Sequence, residues 1–323
     1  CLKKSIIYLP KGRMTAKEIA EKTNGVWTEA AIIEKLGIKE KVIPVSLPED
    51  GTQEMAVSAS LDAIQRAKID PKDINLILSV TEEWKEYPLT TSALYIQDKI
   101  GAHNAWGIDV QNRCGTTLSA LEMAKSMMIS NPKYNIVLIA GGYRNGDFIN
   151  YEDKSMSMMY NLGAGGGALI LKRNHPKNLL LGFHMISDGS LSRSAGVKYG
   201  GLNYPIDHEN LEVAKTSLQL FDAAYMKERL NDVSMQNWLS CIDHALDASN
   251  LSRSDIDFLN ILHIKRSGHQ YMLDTLGLDN TQTIYLENYG HIGQIDQILS
   301  LHLAVEEHRI KPNQHMCIIA AGI

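Results

Sequence analysis

The chain has 323 residues, 44% of them hydrophobic, which is enough apolar material for one large core or for two cores joined edge to edge. Its net charge of -5 leaves no basic footprint for a phosphate backbone, which excludes nucleic acid as a partner. No apolar run reaches membrane-spanning length, and Lys3-Lys4-Ser5-Ile6-Ile7-Tyr8-Leu9 is too short and polar for a secretory leader, so a cytoplasmic protein with no membrane partner is expected.

The chain starts at Cys1 rather than Met, which reads as a trimmed start. Its four cysteines, Cys1, Cys114, Cys241 and Cys317, are far apart and form no CxxC pair, so reduced thiols are expected and neither a disulfide framework nor a metal cluster. The stretch Lys35 to Lys41 holds three lysines; it is either a solvated face or a greeting for the phosphates of an acyl carrier. From Ala63 to Ile74 the pattern is a helix end and a polar turn, and Asn75 to Val80 reads as a strand. Glu82 and Glu83 follow at the strand's mouth, as solvated loop charges or as an acid/base pair.

Cys114 lies in Asp109-Val110-Gln111-Asn112-Arg113-Cys114-Gly115-Thr116-Thr117, where a strand-like lead ends and a helix begins. A thiol there meets unpaired N–H groups and the positive end of the helix dipole, which favour the nucleophilic thiolate. The alternative is a packed core cysteine. Leu118, Leu121, Ala124, Met127 and Met128 form the stripe of the following helix, and Ile136 to Ala140 is a continuous apolar run, the pattern of a strand buried on both faces. Gly163-Ala164-Gly165-Gly166-Gly167-Ala168 lacks the Lys-Ser/Thr of a phosphate-cradling loop and leads into a strand, so it is assigned to close backbone packing. The polar, proline-bearing stretch Lys172 to Lys177 divides the chain, giving halves 1–172 and 173–323.

The second half repeats the first. Ala245 to Ile256 matches Ala63 to Ile74, and Cys317-Ile318-Ile319-Ala320-Ala321-Gly322 matches Ile136 to Gly141, in the same order and at nearly one offset. Duplicated α/β halves with buried helices between mixed sheets follow, and matching loops of the halves would then converge on one site. His263 ends the strand-like Phe258 to Leu262, as a base or as a surface histidine. His291, in Asn288-Tyr289-Gly290-His291-Ile292-Gly293-Gln294, opens the helix equivalent to the one after Cys114, as a site residue or as a neighbour of a helix cap.

With these residues in place, the chain resembles the 3-oxoacyl-(acyl carrier protein) synthase III family of the thiolase-like superfamily over essentially its whole length. The resemblance rests on Tyr8-Leu9-Pro10, Leu36-Gly37-Ile38-Lys39-Glu40-Lys41, Gly101 to Val110 followed by Cys114, and Leu162 to Ala168. It implies a five-layered α-β-α-β-α thiolase fold, a homodimer, and no permanently bound cofactor. Acyl-CoA and malonyl-CoA or malonyl carrier protein would be the substrates, reaching the cysteine through a pantetheine tunnel. It also implies a Cys-His-Asn triad, with Cys114 as nucleophile, His263 in the histidine position and His291 where the family has Asn. The oxyanion would be held by backbone N–H groups of Cys114 and near Gly322, and the cofactor mouth would use Trp27, Lys35, Gly37, Arg144 and Lys265. Four extra residues between Trp27 and Gly37 reshape that mouth, and Ala164 replaces the aspartate of the glycine string. Two other readings stand beside it: Thr81-Glu82-Glu83 resembles the Thr-Glu-Ser string of a 3-hydroxy-3-methylglutaryl-CoA synthase-like condensation using Glu82, and the non-standard His291 suggests a partner subunit that binds acyl thioesters without condensing them.

Overall fold

The computed structural model describes residues 6–322 of the chain, so Cys1 and the other five terminal residues lie outside the described residues. In chain order the first half contains β1 (Ile7–Tyr8), β2 (Gly12–Thr15), α1 (Ala16–Lys22), α2 (Glu29–Ala31), β3 (Glu40–Ile43), α3 (Thr52–Ala67), β4 (Leu76–Ser79), α4 (Ser92–Ile100), β5 (Trp106–Asp109), α5 (Thr116–Ser130), β6 (Ile136–Tyr143) and β7 (Gly165–Lys172). The second contains β8 (Ala195–Val197), α6 (Leu211–Ala214), β9 (Leu218–Leu220), α7 (Ala223–Asp247), β10 (Phe258–Ile261), α8 (Arg266–Leu276), α9 (Asp296–Glu306) and β11 (Met316–Ile319).

Strands β1, β7, β6, β4 and β5 make one sheet in that order, with β4 parallel to β6 and β5, and β7 antiparallel to β6 and β1. Strand side chains point alternately to the two faces. Leu76, Leu78, Val137 and Ile139 enter one core with Leu121 and Ala124 of α5 and Ile298 and Leu299 of α9. Ile77, Ile136 and Leu138 point the other way, onto Ala56 and Ala63 of α3 and Ile96 of α4. In the second half Phe258 joins the first core, whereas Leu259 and Ile261 pack on Trp238, Ile242 and Leu246 of α7 and Leu273 of α8. Helices α5 and α9 therefore lie between two sheets, α3 and α4 cover the outside of one, and α7 and α8 cover the other. This is the expected five-layered order, and β6, buried at all eight positions, is the continuous apolar run that it requires.

The duplication is visible in local structure. Single 3-10 turns at Pro71–Asp73 and Arg253–Asp255 precede β4 and β10, which start at Leu76 and Phe258, so both features recur 182 residues apart. Asp70 accepts from the Lys72 N–H in one turn, and Ser252 with Asp255 forms a capping box in the other. Further 3-10 turns at Arg113–Gly115 and Gly293–Ile295 lead into α5 and α9. The second sheet is the slighter one: among the described residues β10 pairs in parallel with β11, and Leu259 adds a single bridge to Thr283. Gly165, Gly166 and Gly167 lie within β7, where a Cβ on Gly166 would stand 2.6 Å from the Met55 backbone of α3. The small residues let the sheet close on its helices, as the sequence suggests.

Candidate active site

After β5 the chain turns through Arg113, whose φ is +50°, and Cys114 lands in the turn that feeds α5. The Asn112 N–H donates to Thr116 Oγ1 at 2.8 Å, which ties the turn to the helix. The thiol is half-buried at the positive end of the helix.

The second half supplies the facing group. Gly290, at φ +76°, turns the chain where a Cβ would stand 2.5 Å from Asn161 O and 2.7 Å from Lys41 Cβ, so only glycine fits. The next residue, His291, donates its backbone N–H to Asn161 O and accepts from the Gly163 N–H, both at 2.8 Å. Its ring bridges two groups: Nε2 is 3.1 Å from Cys114 Sγ, and Nδ1 is 2.6 Å from Asp296 Oδ2. Asp296 opens α9 fully buried, and its carboxylate also accepts the backbone N–H groups of Ile292 at 2.7 Å and His263 at 2.8 Å. Burial pulls the His291 pKa down, but the Asp296 charge and then the Cys114 sulfur outweigh it and hold the ring well above its ordinary value. The proton on Nδ1 points at Asp296, and an imidazolium Nε2–H points at sulfur.

His263 is held next to this pair but faces elsewhere. Its Nε2–H donates to Leu36 O at 3.0 Å, its ring lies 5.1 Å from that of Tyr285, and its Nδ1 is buried with no hydrogen-bond partner. Burial pushes its pKa down to about 4, so the ring is neutral with its one N–H committed to Leu36. His269, a near neighbour on α8 bonded to Thr283 Oγ1 at 3.1 Å, is likewise pushed down to about 4 by burial. Both rings fold neutral while the unfolded chain would protonate them. Stability is therefore present above pH 6.5 and is lost as pH falls from there toward 4, by roughly 3 kcal/mol per histidine. Melting temperature followed from pH 7 to 4 should fall less steeply in His269→Gln than in the unsubstituted protein; equal slopes would refute this.

Glu82, which the sequence left between a solvated charge and an acid/base group, is only 3% exposed. Its Oε2 accepts from Asn145 Nδ2 at 2.8 Å, and its Oε1 is buried without a partner. Burial raises its pKa, against the pull of Asn145, Arg113 and His291. Glu83 is the solvated one, paired with Arg113 at 2.5 Å. Tyr143, at the end of β6, lies 6.3 Å from the His291 ring, and burial, then the charges of Cys114 and Glu82, hold its phenol pKa well above the usual value. Gly322 borders the nucleophile turn: a Cβ there would stand 2.6 Å from Asn112 O and 3.3 Å from Cys114 N.

The expected cofactor residues divide. Lys35 Nζ sits 5.7 Å from the centre of the Trp27 ring, and Gly37, at φ +73°, lies so close to Tyr285 that no Cβ fits. Lys265 is exposed just before α8. Arg144 is elsewhere, its Nε on Asp147 at 2.7 Å and its Nη1 on Asp50 O at 2.8 Å, lining a cavity of about 630 Å³ with Tyr151 and Gly163. Lys41 does not belong to a solvated face: it is 1% exposed. Asp296, Tyr143 and Asn145 are absent from the sequence-based assignment. A signal for Asp296 exists, since it is the one acid in Asp296-Gln297-Ile298-Leu299-Ser300-Leu301, the start of a helix that is otherwise buried.

Duplicated α/β halves with two buried helices between their sheets, and a cysteine of one half meeting an imidazole of the other, define a thiolase-fold protein. The family model for 3-oxoacyl-[acyl-carrier-protein (ACP)] synthase III matches residues 108–189, and its C-terminal counterpart matches residues 246–323. The chain belongs to this 3-oxoacyl-[acyl-carrier-protein] synthase III family. It is 26% identical over 296 residues to the beta-ketoacyl-[acyl-carrier-protein] synthase III of Clostridioides difficile, covering 89% of this chain and 84% of that one. It is 28% identical over 268 residues to the protein of the same name from Microcystis aeruginosa, covering 80% and 75%. Its fold is similar to the crystal structure of 3-oxoacyl-[acyl-carrier-protein] synthase III from Aquifex aeolicus, with a TM-score of 0.81 and 20% identity over 98% of this chain and 94% of that one.

Proposed function

We propose that the protein is an acyltransferase that carries an acyl group on Cys114 and joins it to a malonyl thioester by Claisen condensation. The 3.1 Å contact between Cys114 Sγ and His291 Nε2 carries this reading. Cys114 thiolate attacks the carbonyl of an acyl-CoA, backbone N–H groups of Cys114 and near Gly322 take the oxyanion, and the C–S bond to CoA breaks. His291 gives its Nε2 proton to the departing thiolate. Asp296 favours reprotonation of the emptied ring, whose N–H then holds the enolate oxygen formed when the malonyl thioester loses CO2. The carbanion attacks the acyl-cysteine, a 3-oxoacyl thioester leaves, and Cys114 returns as thiolate. Trp27, Lys35 and Lys265 stand at the mouth for CoA or a carrier protein, and Lys172/Arg173 divides the two halves. The exposed Trp106 on the edge strand β5, with Tyr87 and Leu89 exposed as well, supports a homodimer. Intact-mass measurement with acetyl-CoA should show an acyl adduct that maps to Cys114 and is missing from Cys114→Ala. No adduct on the unsubstituted protein would overturn the scheme in favour of a non-condensing partner subunit.

The unpaired, buried Oε1 of Glu82 favours one further reading, in which the carbanion arises by proton abstraction from an acyl thioester rather than by loss of CO2, as in a 3-hydroxy-3-methylglutaryl-CoA synthase-like reaction. Glu82→Gln would then still form the Cys114 adduct and still use malonyl thioesters, but would lose condensation with acetyl-CoA by about 10²-fold or more. Equal rates with acetyl-CoA in both proteins would remove this reading.

A further inference from the structure

Lys41 is a long cation with almost no water contact, and among the described residues no carboxylate lies within hydrogen-bond reach of it. Its Nζ donates to three neutral oxygens: Tyr151 Oη at 2.7 Å, Tyr160 O at 2.8 Å and Leu162 O at 2.8 Å. An ammonium withdrawn from water is expensive unless all its donors are used, so a fold that retains one is using its bonds for placement. The two carbonyls it grips alternate with the two backbone groups that hold His291. Tyr160 and Leu162 face the lysine, whereas Asn161 O receives the His291 N–H and the Gly163 N–H reaches back to His291 O. Strand β3 closes the same junction from its own backbone, since the Val42 N–H donates to Tyr289 O and Val42 O accepts from the Ala164 N–H, both at 3.0 Å.

We propose that Lys41 is a positioning residue for the reaction: its ammonium fixes the 160–163 backbone, which in turn aims the His291 ring at Cys114. The groups facing Lys41 from the elements around it are Lys22 on α1, Asp147 after β6 and Tyr151, and none offers a neutralising bond. Burial first, and Lys22 second, push the Lys41 pKa down to about 7, so the ammonium's grip on its three oxygens is fullest on the acid side and eases as pH rises above 7. The groups facing His291 are Cys114, Asp296, Glu82, Tyr143 and His263, so a loosened ring would change its dealings with sulfur first.

The proposal rests on the pairing of Cys114 with His291, and its test needs no turnover. Alkylation of Cys114 by iodoacetamide is followed from pH 6 to 9 in the unsubstituted protein and in Lys41→Met, which keeps the apolar stem. The expected result is a rate about tenfold lower in Lys41→Met near pH 6.5 and a difference below about twofold at pH 9, where a thiol ionises without help. A general loss of structure would not produce that pH split. A folded Lys41→Met with the unsubstituted profile would overturn the proposal. If Lys41→Met is recovered unfolded, Lys41→Ala is purified with ethylamine filling the ammonium site and read before and after the amine is removed; no change on removal would overturn it equally. Failure of the underlying pairing is distinguishable, because the unsubstituted protein itself would then match His291→Asn at every pH.

Discussion

Replacing His291 by Asn, the residue that family resemblance leads one to expect there, should slow acylation of Cys114 by about 10²–10⁴-fold, the range of a lost general acid–base group. The carboxamide can donate a hydrogen bond, but it can neither hold an imidazolium charge beside sulfur nor pass a proton to the leaving thiolate. The geometry makes the experiment decisive between two histidines. His291 Nε2 is 3.1 Å from Sγ, whereas the His263 Nε2–H is bonded to Leu36 O and its ring titrates at about 4. If His263 were the working base, as family position alone implies, His291→Asn would leave the rate of adduct formation within a few-fold of the unsubstituted protein, and His263→Gln would abolish it. Single-turnover adduct formation by rapid quench and intact mass, at pH 6, 7 and 8, separates the two. Any pH dependence that the unsubstituted protein shows through His291 should also vanish in His291→Asn.

The layered fold was legible because burial writes itself into composition. Ile136 to Ala140 is continuously apolar because β6 is covered on both faces, and the two Ile-terminated turns repeat because duplicated halves need the same helix-to-strand corner. Cys114 and His291 were legible for the same reason, as residues before equivalent helices. Their division of labour with His263 was not. Side-chain direction is set by packing rather than by chain position: Leu36 O and Tyr285 capture the His263 ring, while the Gly290 turn and its bonds to Asn161 and Gly163 deliver His291 to the sulfur. Glu82 and Lys41 show the same limit from another side. In a sequence a Glu or a Lys reads as solvated, because charge seldom survives burial. Only the fold reveals that the one stands buried against Asn145 and that the other grips two carbonyls.

Asp296→Asn should lower the condensation rate by about 10³–10⁴-fold while leaving the fold intact, the scale seen when the carboxylate of an acid–base triad is amidated. The carboxylate now accepts from three donors, the His291 Nδ1–H and the backbone N–H groups of Ile292 and His263. A carboxamide supplies one acceptor oxygen, so it must turn an NH2 toward at least one of them. Oδ2 serves both His291 and the His263 N–H, and Oδ1 serves Ile292, so an NH2 in either place opposes a backbone N–H. In the Oδ2 place it also meets Nδ1 and moves the ring proton to Nε2, and in either place the charge that made the ring an imidazolium is gone. Backbone donors left short of a partner add about 1–3 kcal/mol of instability at every pH. The pH dependence carries a second signature. The folded His291 pKa is raised above the unfolded value of about 6.5, so the stabilisation from its ion pair is fully present below pH 6.5 and is lost as pH rises through the raised native value. The stability gap between the unsubstituted protein and Asp296→Asn, read by urea unfolding, should therefore be widest at and below pH 6.5 and narrow on the alkaline side. A gap that stays constant or widens with rising pH would mean that Asp296 holds the backbone turn alone and does not charge the ring that faces Cys114.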